Sequence, residues 1–280
     1  MTLKEIKRVL ETQQLHPNKR FGQNFLYDQN LCQWIVKEAA IQSNEIVWEI
    51  GPGLGALTEW VLPKAKAIEL IEIDRGFVSY LKEKWIAQKK ITIHEGDALE
   101  LVPTLMPFNV ACVIGNLPYS ITTPLLAAFL EKAMPPQRMI FTLQYEVADR
   151  LLAKPRSRDY SAISVMIQSL YHMKFLRKLS PYVFYPQPEV FSAVVSFTRK
   201  KEIEALDWRK HFFDWMRKVF GQKRKQLLSV LNQQFPLRKN LEKKWSAFFE
   251  KEKWPIKSRA EELDGDQWRK LFDYYLEQKN

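Results

Sequence analysis

Cysteine and histidine are scarce in this chain. Among 280 residues there are 2 cysteines, Cys32 and Cys112, and 4 histidines, at positions 16, 94, 172 and 211. Two thiols so far apart build no disulfide framework and suit a reducing compartment, so a cytoplasmic protein is expected. No Cys/His spacing matches a metal site, and no metal is expected. Long apolar runs are missing too: nothing approaches the roughly 18 residues of a membrane span, so no membrane partner is expected. The opening MTLKEIKRVLETQQLHPNKR is amphipathic and mixed in charge, without an apolar signal core, which argues against secretion. Internal repeats and low-complexity tracts are also absent, which excludes repeat architectures.

What is there is a globular composition, 46% hydrophobic and 27% charged. The length suffices for one large core or two modest domains. The net charge of +11 favours a polyanionic partner. Residues 1–198 carry 22 Lys and Arg against 19 Asp and Glu, whereas 199–280 carry 21 against 13, a net +8. That last stretch is aromatic as well, with Trp208, Phe212, Phe213, Trp215, Phe220, Trp245, Trp254 and Trp268. Amphipathic helices packing together account for those rings without any ligand.

Hydrophobic patterning gives strands at 45–50, 66–74, 90–96, 109–115 and 137–144, with helices after most of them. A further helix over 161–171 precedes two last strands, 173–179 and 192–199; beyond Arg199 the pattern is helical only. Alternating β and α units predict an α/β fold with a mostly parallel, Rossmann-like sheet. The expected division is a catalytic domain over 1–198 and a small basic all-helical domain over 199–280.

Ligands of such sheets bind outside the carboxyl ends of the strands, which brings four loops together. The first, EIGPGLGA (49–56), includes Glu49, Gly51 and Gly53. It also fits the dinucleotide fingerprint, so a nucleotide-type ligand and a merely tight turn both remain open at this point. The second ends in Glu72, placed to accept from ribose hydroxyls, with Asp74 as a helix cap. The third is GDA (96–98), whose Asp97 can accept from an adenine amine. Acids at three successive strand ends suit an adenosine that brings no phosphate. A dinucleotide's pyrophosphate would want free N–H groups, and Pro52 removes one.

The fourth loop is GNLPYSITTP (115–124). An adenine amine is a poor nucleophile because its lone pair is delocalised into the ring. It needs acceptors that hold its N–H bonds and point the lone pair at an electrophilic methyl group. The Asn116 side chain and the Leu117 carbonyl can do this. Pro118 stiffens the turn, and Tyr119 offers a stacking face worth roughly 1–3 kcal/mol. Catalysis would then be mostly positioning.

These loops, with KRFGQNFL (19–26), EVADR (146–150), YSAISV (160–165), FYPQPEVFS (184–192), FGQKRK (220–225) and SRAEEL (258–263), resemble the KsgA-type small-subunit ribosomal RNA adenine dimethyltransferases, within the rRNA adenine N6-methyltransferase family. The resemblance runs end to end. It implies S-adenosylmethionine contacts at Asn24, Leu26, Gly51, Glu72, Asp97 and Asn116, with the 21–26 segment closing over the cofactor. It implies Phe184 stacking on the target adenine opposite Tyr119. It also implies a target pair of adjacent adenosines in the 3′-terminal hairpin loop of 16S rRNA, within an immature 30S subunit. A monomer is expected. RNA phosphates are expected to meet a helix carrying Lys223, Arg224 and Lys225. Departures from the family's usual residues are Tyr145 for Lys, Glu189 and Phe191 for Lys and Asp, and Lys223 for Arg. An assembly factor with a vestigial site would show damage in the four loops, and they are intact. An NAD-dependent enzyme leaves NLPY (116–119) and the basic tail unexplained.

Overall fold

The alternating pattern folds into a seven-stranded sheet in a computed structural model that describes residues 1–17, 22–235 and 242–279. In chain order the first half comprises α1 (Leu3–Thr12), β1 (Phe25–Leu26), α2 (Gln29–Glu38), β2 (Ile46–Ile50), α3 (Thr58–Val61), β3 (Ala67–Glu72), α4 (Arg75–Lys84), β4 (Ile91–Glu95), α5 (Ala98–Leu105), β5 (Cys112–Asn116), α6 (Thr122–Leu130) and β6 (Arg138–Gln144). Then come α7 (Tyr145–Leu152), α8 (Ala162–Leu170), β7 (Tyr171–Leu179), β8 (Phe184–Tyr185) and β9 (Ser192–Arg199). The tail holds α9 (Leu206–Phe220), α10 (Leu227–Gln234), α11 (Glu242–Lys251) and α12 (Gly265–Lys279).

The sheet order is β4-β3-β2-β5-β6-β9-β7. Its first five strands are parallel, while β9 runs antiparallel between β6 and β7. The strand order therefore reverses between β2 and β5, the place where such sheets open a crevice. Gly115 lies there, and a Cβ on it would come 2.6 Å from the Ile50 carbonyl oxygen, so only glycine lets β5 sit this close to β2. Residues from β2, β3, β5 and α2, among them Val47, Ile68, Ile114, Ile35 and Val36, form one buried cluster. A smaller one joins α1 through Ile6 and Leu10 to Phe25, Leu54 and Phe77.

Sequence and structure differ in several places, three of which bear on the site and the domains. The two-residue strands β1 and β8 pair with each other in a separate sheet, too short to show a period. The helix α5 is absent from the sequence reading, because Pro103 stands inside it and proline argues against a helix interior. The third difference is the division of the chain. One compact unit holds 1–148 and 171–201; the other holds 149–170 together with 202–280. The sequence reading placed 149–170 with the sheet, since it lies between strands. In the structure it packs within the helical unit, where Tyr160 meets Phe220 edge-on at 6.2 Å and the Arg156 amide donates to the Glu261 carbonyl at 2.7 Å. No described helix is long and apolar enough to cross a membrane.

Candidate active site

A cavity of about 290 Å³ opens at the carboxyl ends of β2, β3 and β5. Its wall includes Asn24, Leu26, Glu49, Gly51, Gly53, Glu72, Asp97 and Asn116, all of the expected cofactor residues. The main sheet brings Glu49, Gly51, Gly53, Glu72, Asp97 and Asn116 together because each lies at or just past the end of a strand, whereas Asn24 and Leu26 come from β1 and the residue before it.

Glu72 ends β3 and is buried, 4% exposed. One oxygen accepts the Gly53 amide at 3.0 Å, the other the Asp74 amide at 3.0 Å. Gly53 reaches it with a φ of +55°, and a Cβ there would lie 2.9 Å from the Phe25 ring. Each carboxylate oxygen keeps a lone pair for a hydroxyl donor. Burial is the largest influence on this acid and pushes it up to about 7, against the lowering pull of the two amides. Glu49, 1% exposed, is likewise raised to about 7 by burial, although the Thr58 hydroxyl donates to it at 2.6 Å. Two buried carboxylates with no cation in contact among the described residues are costly, and donors from a ligand would offset that cost.

Asp97 caps α5 by accepting the Leu99 amide at 2.8 Å, and its second oxygen has no partner among the described residues. Asp74 caps α4, as read from the sequence. The donor set of the cavity thus fits an adenosine with a cationic tail. Acceptors for hydroxyls and an amine are present, and the three acids Glu49, Glu72 and Asp97 would repel a pyrophosphate.

On the opposite wall Asn116 donates from Nδ2 to the Asn24 carbonyl at 2.7 Å. This fixes the amide and leaves Oδ1 as its open acceptor. The Leu117 amide is tied to the Thr142 carbonyl at 2.9 Å, its side chain is buried, and its own carbonyl accepts no hydrogen bond among the described residues. Pro118 lines the cavity; its carbonyl accepts the Thr122 hydroxyl at 3.1 Å, joining the turn to α6. Tyr119 is half-buried, and its hydroxyl shares a 2.8 Å hydrogen bond with Ser192.

Phe184 is the residue expected to stack on the target adenine opposite Tyr119. Its backbone pairs with Leu26 in the β1–β8 sheet, and its ring is 3% exposed within the main core cluster. The expected basic helix is corrected. The helix α9 ends at Phe220, and Lys223, Arg224 and Lys225 lie in the turn before α10. Lys223 donates to the Arg158 carbonyl at 3.2 Å and lies 3.9 Å from Glu261; Lys225 reaches Gln233 at 3.5 Å. Only Arg224 is exposed with no partner among the described residues. Of the 19–26 motif, Lys19, Arg20 and Phe21 lie outside the described residues.

Sequence reasoning missed four contributors. Ile73, 40% exposed yet on the cavity wall, supplies an apolar face beside Glu72; the signal was an isoleucine between two acids at a strand end. Met1 and Ile6 bring α1 to the same wall. Ser192 tethers Tyr119, which only the strand order could reveal.

The comparisons agree with this geometry. The family described as ribosomal RNA adenine dimethylase matches residues 14–276. The chain belongs to that family. Its activity is the dimethylation of adenine in ribosomal RNA, with S-adenosylmethionine as methyl donor. Among its relatives is a protein named ribosomal RNA small subunit methyltransferase A from Alkaliphilus oremlandii, 35% identical over 82% of this chain and 82% of the relative. A protein of the same name from Natranaerobius thermophilus is 31% identical over 96% of this chain and 95% of its own. The dimethyladenosine transferase from Plasmodium falciparum has the same fold, with a TM-score of 0.78 at 24% identity, covering 91% of this chain and 98% of its own.

Proposed function

We propose that this family member methylates the N6 amines of two adjacent adenosines in the 3′-terminal hairpin loop of 16S rRNA, acting as a cytoplasmic monomer on an immature 30S subunit. The names of its relatives, which specify the small subunit, support that choice of substrate. The observation that carries the chemistry is the Asn116 amide, pinned through Nδ2 to Asn24 at the mouth of an acid-lined cavity.

Glu72 would hold the ribose hydroxyls of S-adenosylmethionine, Asp97 the adenine amine and Glu49 the cationic tail, with Gly51, Gly53, Asn24 and Leu26 shaping the walls. The cofactor supplies an electrophilic methyl group. The Asn116 Oδ1 accepts one N–H of the target amine and the Leu117 carbonyl the other. Held so, the nitrogen's lone pair leaves conjugation with the ring and faces the methyl group. The Tyr119 ring stacks on the flipped base, and its hydroxyl, tied to Ser192, sets the tilt. Neither acceptor is a strong base, so the amine's proton passes to water once the new bond has formed. The rate enhancement comes from placement.

The test is transfer of labelled methyl from the cofactor to unmethylated small subunits, followed by mapping of the modified bases. Four methyl groups on two neighbouring adenosines are expected, two on each N6. No transfer to small subunits, or label confined to a single adenosine, would overturn the assignment.

A further inference from the structure

The strand β7 is the open edge of the main sheet, and it carries a bulge. Phe175 pairs with Val195, Arg177 with Val194 and Lys178 with Ala193, so Leu176 is the extra residue. In a regular strand, Phe175 and Lys178 would face opposite sides of the sheet. The bulge puts both on one side and turns Arg177 to the other, where its guanidinium lies 5.5 Å from the Trp34 ring. On the first side the Lys178 ammonium sits 4.3 Å from the centroids of both Tyr145 and Phe191. Tyr145 in turn meets Phe175 edge-on at 5.9 Å.

This cluster stays in water. Phe175 is 42% exposed and Phe191 47%. Lys174, Arg177 and Lys178 are exposed along the same strand, and none is ion-paired among the described residues. The acids nearest in sequence, Glu146 and Glu189, are exposed and also unpaired among the described residues. A core would have buried the rings; a solvated edge would have lacked them. The cluster also borders the chemistry. The Phe191 carbonyl accepts the Tyr145 amide at 3.0 Å, and the next residue, Ser192, holds the Tyr119 hydroxyl.

We propose that Tyr145, Phe175, Lys178 and Phe191 form a docking point for single-stranded RNA flanking the target adenine. A neighbouring base lies on an exposed ring, and its phosphate meets Lys178. Stacking faces interleaved with cations are how single strands are gripped without sequence readout. The positive charge of the edge selects a polyanion over an apolar protein partner. The inference rests on the reading of this protein as an rRNA methyltransferase.

Steady-state methylation of small subunits by Phe191→Leu, Phe191→Trp and Lys178→Gln tests it. Phe191→Leu should raise KM about tenfold, with the effect on kcat much smaller, and Phe191→Trp should restore KM. Lys178→Gln should flatten the dependence of log KM on log salt by about one unit. Parental KM and salt slope in both Phe191→Leu and Lys178→Gln would overturn the proposal. So would a KM change that tracks a lowered Tm or a weaker cofactor Kd, since the ring would then be a packing element. If the parent transfers no methyl to small subunits, the functional reading fails instead. Binding of a fluorescent single-stranded oligoribonucleotide to parent and variants then tests the cluster by itself, equal affinities overturning it.

Discussion

In the unit built on the sheet, carboxylates go inward and some rings stay outside; in the helical unit the reverse holds. Glu49 and Glu72 are buried at strand ends while Phe175 and Phe191 stand in solvent. In the helical unit Trp215, Trp245, Trp268, Phe212 and Phe213 are all buried, and the lysines and arginines lie mostly outside. Trp215 alone contacts Phe212, Phe235, Trp268, Phe272 and Tyr275. The helical unit follows the ordinary partition of residues and owes its aromatics to packing. The sheet unit breaks that partition most pointedly at the cavity and at the β7 edge. Both breaks cost free energy unless something binds there.

Substitutions can break the contrast. The largest effect is expected at Asn116. Asn116→Ala should keep the fold and RNA binding yet lose turnover on the order of a hundredfold, the scale for a preorganised group at developing charge. Single-turnover rates near the parent's would rule the positioning mechanism out. Tyr119→Phe should be mild by comparison, since the ring face outweighs the hydroxyl.

Next come the cavity acids. Glu72→Ala or Asp97→Ala should weaken S-adenosylmethionine binding about tenfold or more, one charge-assisted bond being worth roughly 1.5–3 kcal/mol. Calorimetry would show it; unchanged affinity in both variants would mean the acids serve only the fold. Asp97→Ala also removes the cap of α5, which costs about 1 kcal/mol of stability.

A smaller effect should appear in pH dependence. Glu49 and Glu72 are raised from 4.5 to about 7 by burial. Raised acids favour the folded state fully below about 4.5, and that contribution is lost as pH rises through about 7. The ligand-free protein should therefore lose Tm between those values, and Glu72→Gln should flatten the profile by a few degrees, at roughly 2–4 °C per kcal/mol. Cofactor affinity should rise over the same interval, as the carboxylates become charged acceptors. A Tm profile identical in parent and Glu72→Gln would remove Glu72 from this account.

The smallest effect is expected in the helical unit. Replacing Lys223, Arg224 and Lys225 together by Ala should flatten the salt dependence of subunit binding by up to about two units, since Lys223 is already engaged by Arg158 and Glu261. Cofactor affinity should not move. Identical salt slopes would leave the turn as solvated surface and shift the RNA contact toward β7.

Much of the site was legible in the sequence because strands end where loops begin. Glu49, Glu72, Asp97 and Asn116 each stand at or just past an apolar run, and a parallel sheet brings such ends together whatever the details of packing. The same periodicity marked the helical tail and its internal rings. The turn at 223–225 was read as helix because basic residues fit a helix as readily as a loop.

The sequence by itself therefore determined the sheet and the acids and amide that line the cavity, since these follow from local pattern and strand order. Tertiary structure alone decided the rest. It moved 149–170 into the helical unit, tied Asn116 to Asn24 across 92 residues, and set Phe175 beside Lys178 through one bulged position. Each depends on contacts between distant segments, and a hydrophobic period carries no information about which distant partner a side chain meets.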